Sequence, residues 1–209
     1  MNKKTQLVLA SLAAALVAAG CASGPSVAEL NALTSKIVKA SFRDESHVKV
    51  ERLTATDETN TAFGRGEQNN LTALSAYISA ESRGMKFNLP NNTVAEKTMY
   101  EVGKRLFFAR GGTHDFSCSS CHGEDGKRIR LQDLPNLTQN PGAGNGFGAW
   151  PAYRVSNGQM WSMQLRLNDC YRQQRFPYPL FGSDVTIALG MYLGVNGKGG
   201  ESVAPAIKR

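Results

Sequence analysis

The run Phe116-Ser-Cys118-Ser-Ser-Cys121-His122-Gly123 holds the most specific chemistry in this sequence. Two thiols at i and i+3 followed at once by a histidine form the C-x-x-C-H pattern of covalent haem attachment, in which the thiols add to the haem vinyl groups and the histidine becomes an axial iron ligand. Three other chemistries use similar residues. A redox C-x-x-C has no need of His122, a zinc site wants two further ligands when only His47 and His114 remain, and a structural disulfide is compatible with the spacing. The pattern occurs once, so the expected cofactor is one covalently bound haem c.

A low-spin haem held by His122 needs a second axial ligand, and the downstream candidates are Met160, Met163, Cys170 and Met191. Met191 falls in an amphipathic stretch and reads as core. Met160 and Met163 lie before Cys170 in an expected helix over 159–171, where they also form an ordinary apolar stripe with Leu167. Cys170 has no thiol partner left. It reads either as a small buried hydrophobe or, with Arg166 one turn earlier and Arg172 and Arg175 behind it, as a thiol whose ionisation the guanidinium groups favour. Guanidinium groups also match the oxygens of an anion such as a sulfonate; the alternative is a solvated basic face. An opening near Cys170 rimmed by basic side chains is expected.

The elements that must position these groups are helical. Thr93-Val-Ala-Glu96 fits a capping box, Met99, Val102, Leu106 and Phe107 recur at helical spacing, and Gly111-Gly112 stop a helix over 93–110. Gly103 inside it costs about 1 kcal/mol, which the close approach of another helix, 184–194 with Tyr192, would offset. Ser183 is the expected N-cap of that second helix. An irregular Gly, Asn and Pro-rich loop over 134–151 separates the haem motif from the ligand-bearing segment. The segment Ala73-Leu-Ser-Ala-Tyr77-Ile78, Arg83-Gly84, Pro90 is echoed by Ala188-Leu-Gly-Met-Tyr192-Leu193, Lys198-Gly199, Pro205, which suggests two related units.

The 209 residues carry a formal charge of +7. Asn2, Lys3 and Lys4 precede an apolar run of about 13 residues ending at Gly20-Cys21, an export signal over 1–20 with a lipoprotein-like cysteine. Loss of Lys3 and Lys4 brings the charge to +5. Residues 21–28 read as a tether and 43–62 as loops. The expected location is the periplasm, with a membrane contact only through a lipid on Cys21. The mild basic balance suits acidic partners or anionic substrates; no basic helix with interleaved aromatics suggests nucleic acid.

Taken together, Cys118-Ser-Ser-Cys121-His122, Leu134-Pro-Asn-Leu, Trp150-Pro-Ala-Tyr153-Arg154, Arg166-x-x-x-Cys170-x-x-x-x-Arg175 and Ala188-Leu-x-x-Tyr-Leu resemble the SoxA family, the cytochrome subunits of periplasmic sulfur oxidation. The resemblance implies an all-α, class I cytochrome c-like fold, with a degenerate haemless unit over 29–92 before a haem-bearing catalytic unit over 93–209. It implies His122 and Cys170 as axial iron ligands, a persulfide on Cys170, and Arg166 and Arg175 as substrate-binding groups. It further implies L-cysteine S-thiosulfotransferase activity: thiosulfate coupled oxidatively to a cysteine of the SoxYZ carrier, with electrons passed to a SoxX-type cytochrome partner. Two other functions fit the residues: an electron carrier with a Met ligand, and a thiosulfate dehydrogenase forming tetrathionate.

Overall fold

A computed structural model describes residues 24–41, 68–129 and 131–209. The export signal with Cys21, His47 and the 43–62 segment lie outside the described residues.

The capping box forms as the sequence predicts. Thr93 accepts the Glu96 amide at 3.2 Å and the Glu96 carboxylate accepts the Thr93 amide at 2.8 Å, starting a helix over Val94–Phe108. Ahead of it lie α1 (Val27–Ser41) and α2 (Gln68–Glu81), making this helix α3. After it come α4 (Cys118–His122), α5 (Gly142–Phe147), α6 (Met163–Gln173) and α7 (Asp184–Asn196). The helices carry the fold, and the strands are short. Strands β1 (Arg128–Ile129) and β2 (Gln132–Asp133) form a two-residue hairpin ladder. Strand β3 (Ala152–Arg154) sits between β4 (Gln159–Trp161), antiparallel, and β5 (Ala206–Lys208), parallel.

The core lies where α3 crosses α7, and it is closed by α1 and α6. Val102, Phe107, Val185, Ala188 and Leu189 are all but fully buried, with Leu30 and Ile37 of α1 and Leu167 and Tyr171 of α6 packed on them. Gly103 is the reason that the crossing is so close: a Cβ there would fall on the Ala188 carbonyl and 2.9 Å from Tyr192 Cβ. The helix that Gly103 was expected to admit is the one that it meets. Phe107 and Tyr192 then pack ring to ring at 5.0 Å, and Tyr100 donates to Asn196 at 3.0 Å, whose amide in turn donates to the Leu137 carbonyl.

Several boundaries differ from expectation. The tether ends sooner, because Ser26 exchanges hydrogen bonds with Glu29 and opens α1 at Val27. Residues 159–161 are strand rather than helix: Gly158, at φ 64°, turns the chain back so that Gln159–Trp161 pairs with Ala152–Arg154, and Ser162 caps α6 by accepting the Leu165 amide. Ser183 stands at the N-cap of α7 with extended backbone, but its hydroxyl makes no capping bond and has no partner. The 134–151 loop contains the short helix α5, whose Gly144 backbone packs against Gly200. The tails after α2 and α7 meet each other: Phe87 and Gly200, and Ser202 and Met85, are joined by backbone hydrogen bonds of 2.8 Å.

Candidate haem site

Ser117 caps the short helix α4 through the Ser120 amide, and this turn puts Cys118 and Cys121, one helical step of three apart, on one face with His122 next to them. All three line a cavity of about 450 Å³, within the usual size range of cofactor sites. Its apolar wall is built from both core helices and the loop: Phe107 of α3, Leu134 and Leu137, Phe147, Trp150, and Leu189 and Leu193 of α7. Helix α6 forms the facing wall with Met163, Arg166, Leu167 and Cys170.

His122 Nδ1 lies 2.8 Å from the Pro135 carbonyl oxygen, which can only accept, so Nδ1 carries the proton and the Nε2 lone pair is left for a metal. Burial also holds His122 below the ordinary imidazole range, in its neutral, ligating form. Cys118, Cys121 and Cys170 are all free thiols. Burial pushes Cys118 up to about 12. The residues therefore fit a covalently attached haem: two unpaired thiols and an oriented imidazole on one side of an apolar cavity, with further sulfur ligands on the other.

Of the candidate sixth ligands, the structure brings Cys170 and Met163 to the cavity and leaves Met160 and Met191 outside its lining. Met160 stands in β4 of the three-stranded sheet, across from Tyr153. Cys170 is half-buried in the wall. Its thiol is raised, not lowered: burial dominates, the Asp169 carboxylate adds to it, and the guanidinium groups of Arg166 and Arg154 pull the other way without prevailing. The neighbouring arginines favour the thiolate as expected, but burial outweighs them.

The reason lies in Asp169. This buried carboxylate accepts Arg166 Nη1 at 2.7 Å, Arg172 Nη2 at 2.6 Å and Nε at 3.1 Å, and Gln173 Nε2 at 2.8 Å. Arg166 thus lines the cavity with its charge already paired. Arg175 is placed elsewhere: α6 ends at Gln173, and Arg175, exposed and at a left-handed φ of 60°, lies outside the cavity lining. Sequence reasoning passed over Asp169, although Arg166-x-x-Asp169-x-x-Arg172 has i,i+3 spacing on both sides. It also gave no role to Arg154, Lys208 and Arg209, which line the cavity as well.

No family model matches the chain. Among curated proteins it is 54% identical over 150 residues to the L-cysteine S-thiosulfotransferase subunit SoxA of Hydrogenophilus thermoluteolus, covering 72% of this chain and 55% of that protein. It is 39% identical over 141 residues to a subunit of the same name from Hydrogenobacter thermophilus, covering 67% of this chain and 53% of that one. The crystal structure of SoxXA from P. pantotrophus superposes with a TM-score of 0.58 at 27% identity, over 69% of this chain and 51% of that chain. This chain belongs to the SoxA family. It spans about half the length of the curated SoxA subunits it matches. The all-α assignment agrees with this SoxA-like fold, and no helix among the described residues is long and apolar enough to cross a membrane.

Proposed function

We propose that this SoxA homologue carries one haem c, which Cys118 and Cys121 would hold covalently and His122 and Cys170 would hold through its iron, and oxidatively couples thiosulfate to a cysteine of a SoxYZ-type carrier. The observation that carries the proposal is that a free thiol, Cys170, shares one cavity with the complete C-x-x-C-H set and with two guanidinium groups, Arg154 and Arg166. The reaction balances as carrier thiol plus thiosulfate giving a carrier S-thiosulfonate, one proton and two electrons. The haem would supply the redox chemistry, accepting electrons destined for a SoxX-type partner.

The chain's own residues do the rest. Arg166, held rigid by Asp169, presents its remaining N–H groups to the sulfonate oxygens, which places the outer sulfur towards Cys170. Cys170 would lose its proton and, as two electrons leave for the partner cytochrome, form a sulfur–sulfur bond to that outer sulfur; the carrier thiol would then attack the same sulfur, break that bond and pass its proton to the departing Cys170 thiolate. Arg175 keeps a place only at the approach of the carrier, since it lies outside the cavity lining. The division into a haemless unit over 29–92 and a haem-bearing unit over 93–209, export to the periplasm and lipidation of Cys21 belong to the same proposal.

A second reading has one observation in its favour: Met163 also lines the cavity, so a Met-ligated electron carrier is built from the same wall. Cys170→Ala and Met163→Leu separate the two. If the proposal holds, Cys170→Ala keeps haem covalently attached by intact mass and abolishes thiosulfate coupling to carrier, while Met163→Leu keeps activity. Retained turnover in Cys170→Ala, or a Met-to-iron charge-transfer band in the ferric protein that disappears in Met163→Leu, sinks it. Oxidation of thiosulfate without carrier would instead mark a dehydrogenase.

A further inference from the structure

Arg154 is the last residue of β3, the central strand of the three-stranded sheet, and it stands in register with Lys208 of the parallel strand β5. Register partners on adjacent strands project to the same face, and both side chains line the cavity. The Arg154 guanidinium lies over the Trp161 ring, 5.4 Å from its centroid, a contact that fixes the fork and leaves its N–H edge available. Its Nε is buried without a hydrogen-bond partner, and among the described residues no carboxylate pairs with it. Arg166 is the contrast: the same cavity, but a guanidinium bonded at 2.7 Å to Asp169, a carboxylate that it shares with Arg172.

We propose that Arg154, assisted by Lys208, is a second oxyanion-binding position, distinct from Arg166, and that it receives the oxygens of a small sulfur oxyanion in the cavity that Cys170 also lines. An unpaired buried donor is costly, so a native site that retains one has a partner for it when it works. The charge has the same logic. Burial, and after it the neighbouring Arg166 cation, push Arg154 below its ordinary value against a smaller opposing pull from Asp169, and a bound anion would act in the same sense as Asp169. Two guanidinium groups, one from β3 and one from α6, would grip a sulfonate from two directions. For the identity of the anion this inference rests on the proposed thiosulfate reaction; for the existence of the position it does not.

The test uses purified holoprotein in four forms: wild type, Arg154→Gln, Arg154→Lys and Lys208→Gln. Calorimetric titration with thiosulfate and, separately, with sulfate gives affinities; intact mass and the ferric spectrum give haem attachment and ligation. We expect Arg154→Gln to weaken both anions about ten-fold, equal to about 1.4 kcal/mol. Arg154→Lys should recover part of that loss, since it keeps the charge and not the fork, and Lys208→Gln should cost about two- to three-fold. Haem content and spectrum should not change, and in turnover the loss should fall on KM with kcat retained. Affinity within two-fold of wild type in Arg154→Gln overturns the inference, as does a loss of haem or a spectral change with anion affinity intact, which would assign Arg154 to a haem carboxylate. Sulfate binding that depends on Arg154, without thiosulfate binding, would leave the position standing and remove the thiosulfate reading. Binding of neither anion by the wild type removes both. If Arg154→Gln does not accumulate, Arg154→Lys carries the same comparison, with a loss of at least three-fold expected.

Discussion

Gly103→Ala sets two effects of known sign against each other at the centre of the molecule. Replacing a glycine in a helix interior with alanine favours the helix by about 1 kcal/mol. Against this, the added methyl on α3 would overlap the Ala188 carbonyl of α7, reach its carbonyl carbon at 2.7 Å and reach Tyr192 Cβ at 2.9 Å. Ordinary carbon contacts lie at about 3.5 to 4.0 Å, so the helices must part by about 1 Å. Two of the three obstacles are backbone, which no rotamer change can move aside. Overpacking of this kind costs about 1–3 kcal/mol, and a gap of that width forfeits about a quarter to a half of each dispersion contact along the crossing. The net expectation is a loss of about 2–4 kcal/mol, or a fall in Tm on the order of 10 °C for a chain of this size. Thermal unfolding of the holoprotein followed by circular dichroism measures it, and Gly190→Ala is the control. Gly190 lies in α7 with open space around its Cβ position, so the same chemical change there should hold or raise the Tm. If Gly103→Ala also holds or raises it, close packing of α3 on α7 is not what this glycine is for.

Two further outcomes follow from the site and its supporting helix. Asp169→Asn removes the charge that Arg166, Arg172 and Gln173 share; since Arg172 is half exposed and can return to water, we expect about 3 kcal/mol of destabilisation in urea unfolding, with weaker anion selectivity because Arg166 is no longer oriented. A loss below about 0.5 kcal/mol would show the network to be dispensable. Thr93→Ala should cost about 1 kcal/mol through the lost N-cap, and its effect should shrink in acid. The Thr93 amide, and then the Asn92 amide, hold the Glu96 carboxyl below its ordinary range; a folded-state value below the unfolded one means stability that is present above the unfolded carboxylate range and lost as pH falls through the folded value. A difference between variant and wild type that grows in acid would contradict that sign.

Local signals were legible, and those that depend on long-range pairing were not. The capping box at Thr93 and the helical stripe from Met99 to Phe107 are visible within about 15 residues of sequence, and each is found in the structure; Gly103 was legible only because a second helix, 184–194, was itself legible from its local pattern. The placement of Met160 was not legible, because an apolar pair at i,i+3 looks helical until Gly158 turns the strand onto Ala152–Arg154. Helix α5 was equally hidden: Gly142–Phe147 has little helix propensity, and what holds it is Gly-on-Gly packing against Gly200, far along the chain. Lys208 came to the cavity by the same kind of event, a parallel pairing of β5 with β3 across more than fifty residues, and nothing near either strand announces it.

The pairing of Arg166 changes how the site divides its work. A guanidinium that shares a buried carboxylate with Arg172 attracts less than a bare one but is a well-aimed donor, because Asp169 fixes its plane and its remaining N–H groups. An unpaired guanidinium on the opposite element is the reverse: a strong attractor whose direction is set only by the Trp161 ring beneath it. On the proposed reading, a doubly charged oxyanion entering this cavity would be drawn by Arg154 and Lys208 and aligned by Arg166. Attraction and alignment therefore come from different elements, β3 with β5 and α6. Variants at Arg154 should lose affinity uniformly across small oxyanions, whereas variants at Arg166 or Asp169 should lose discrimination among them. Measured affinities for thiosulfate, sulfite and sulfate across these three positions would separate the two roles; a uniform loss at all three would mean that the site attracts with both arginines and aligns with neither.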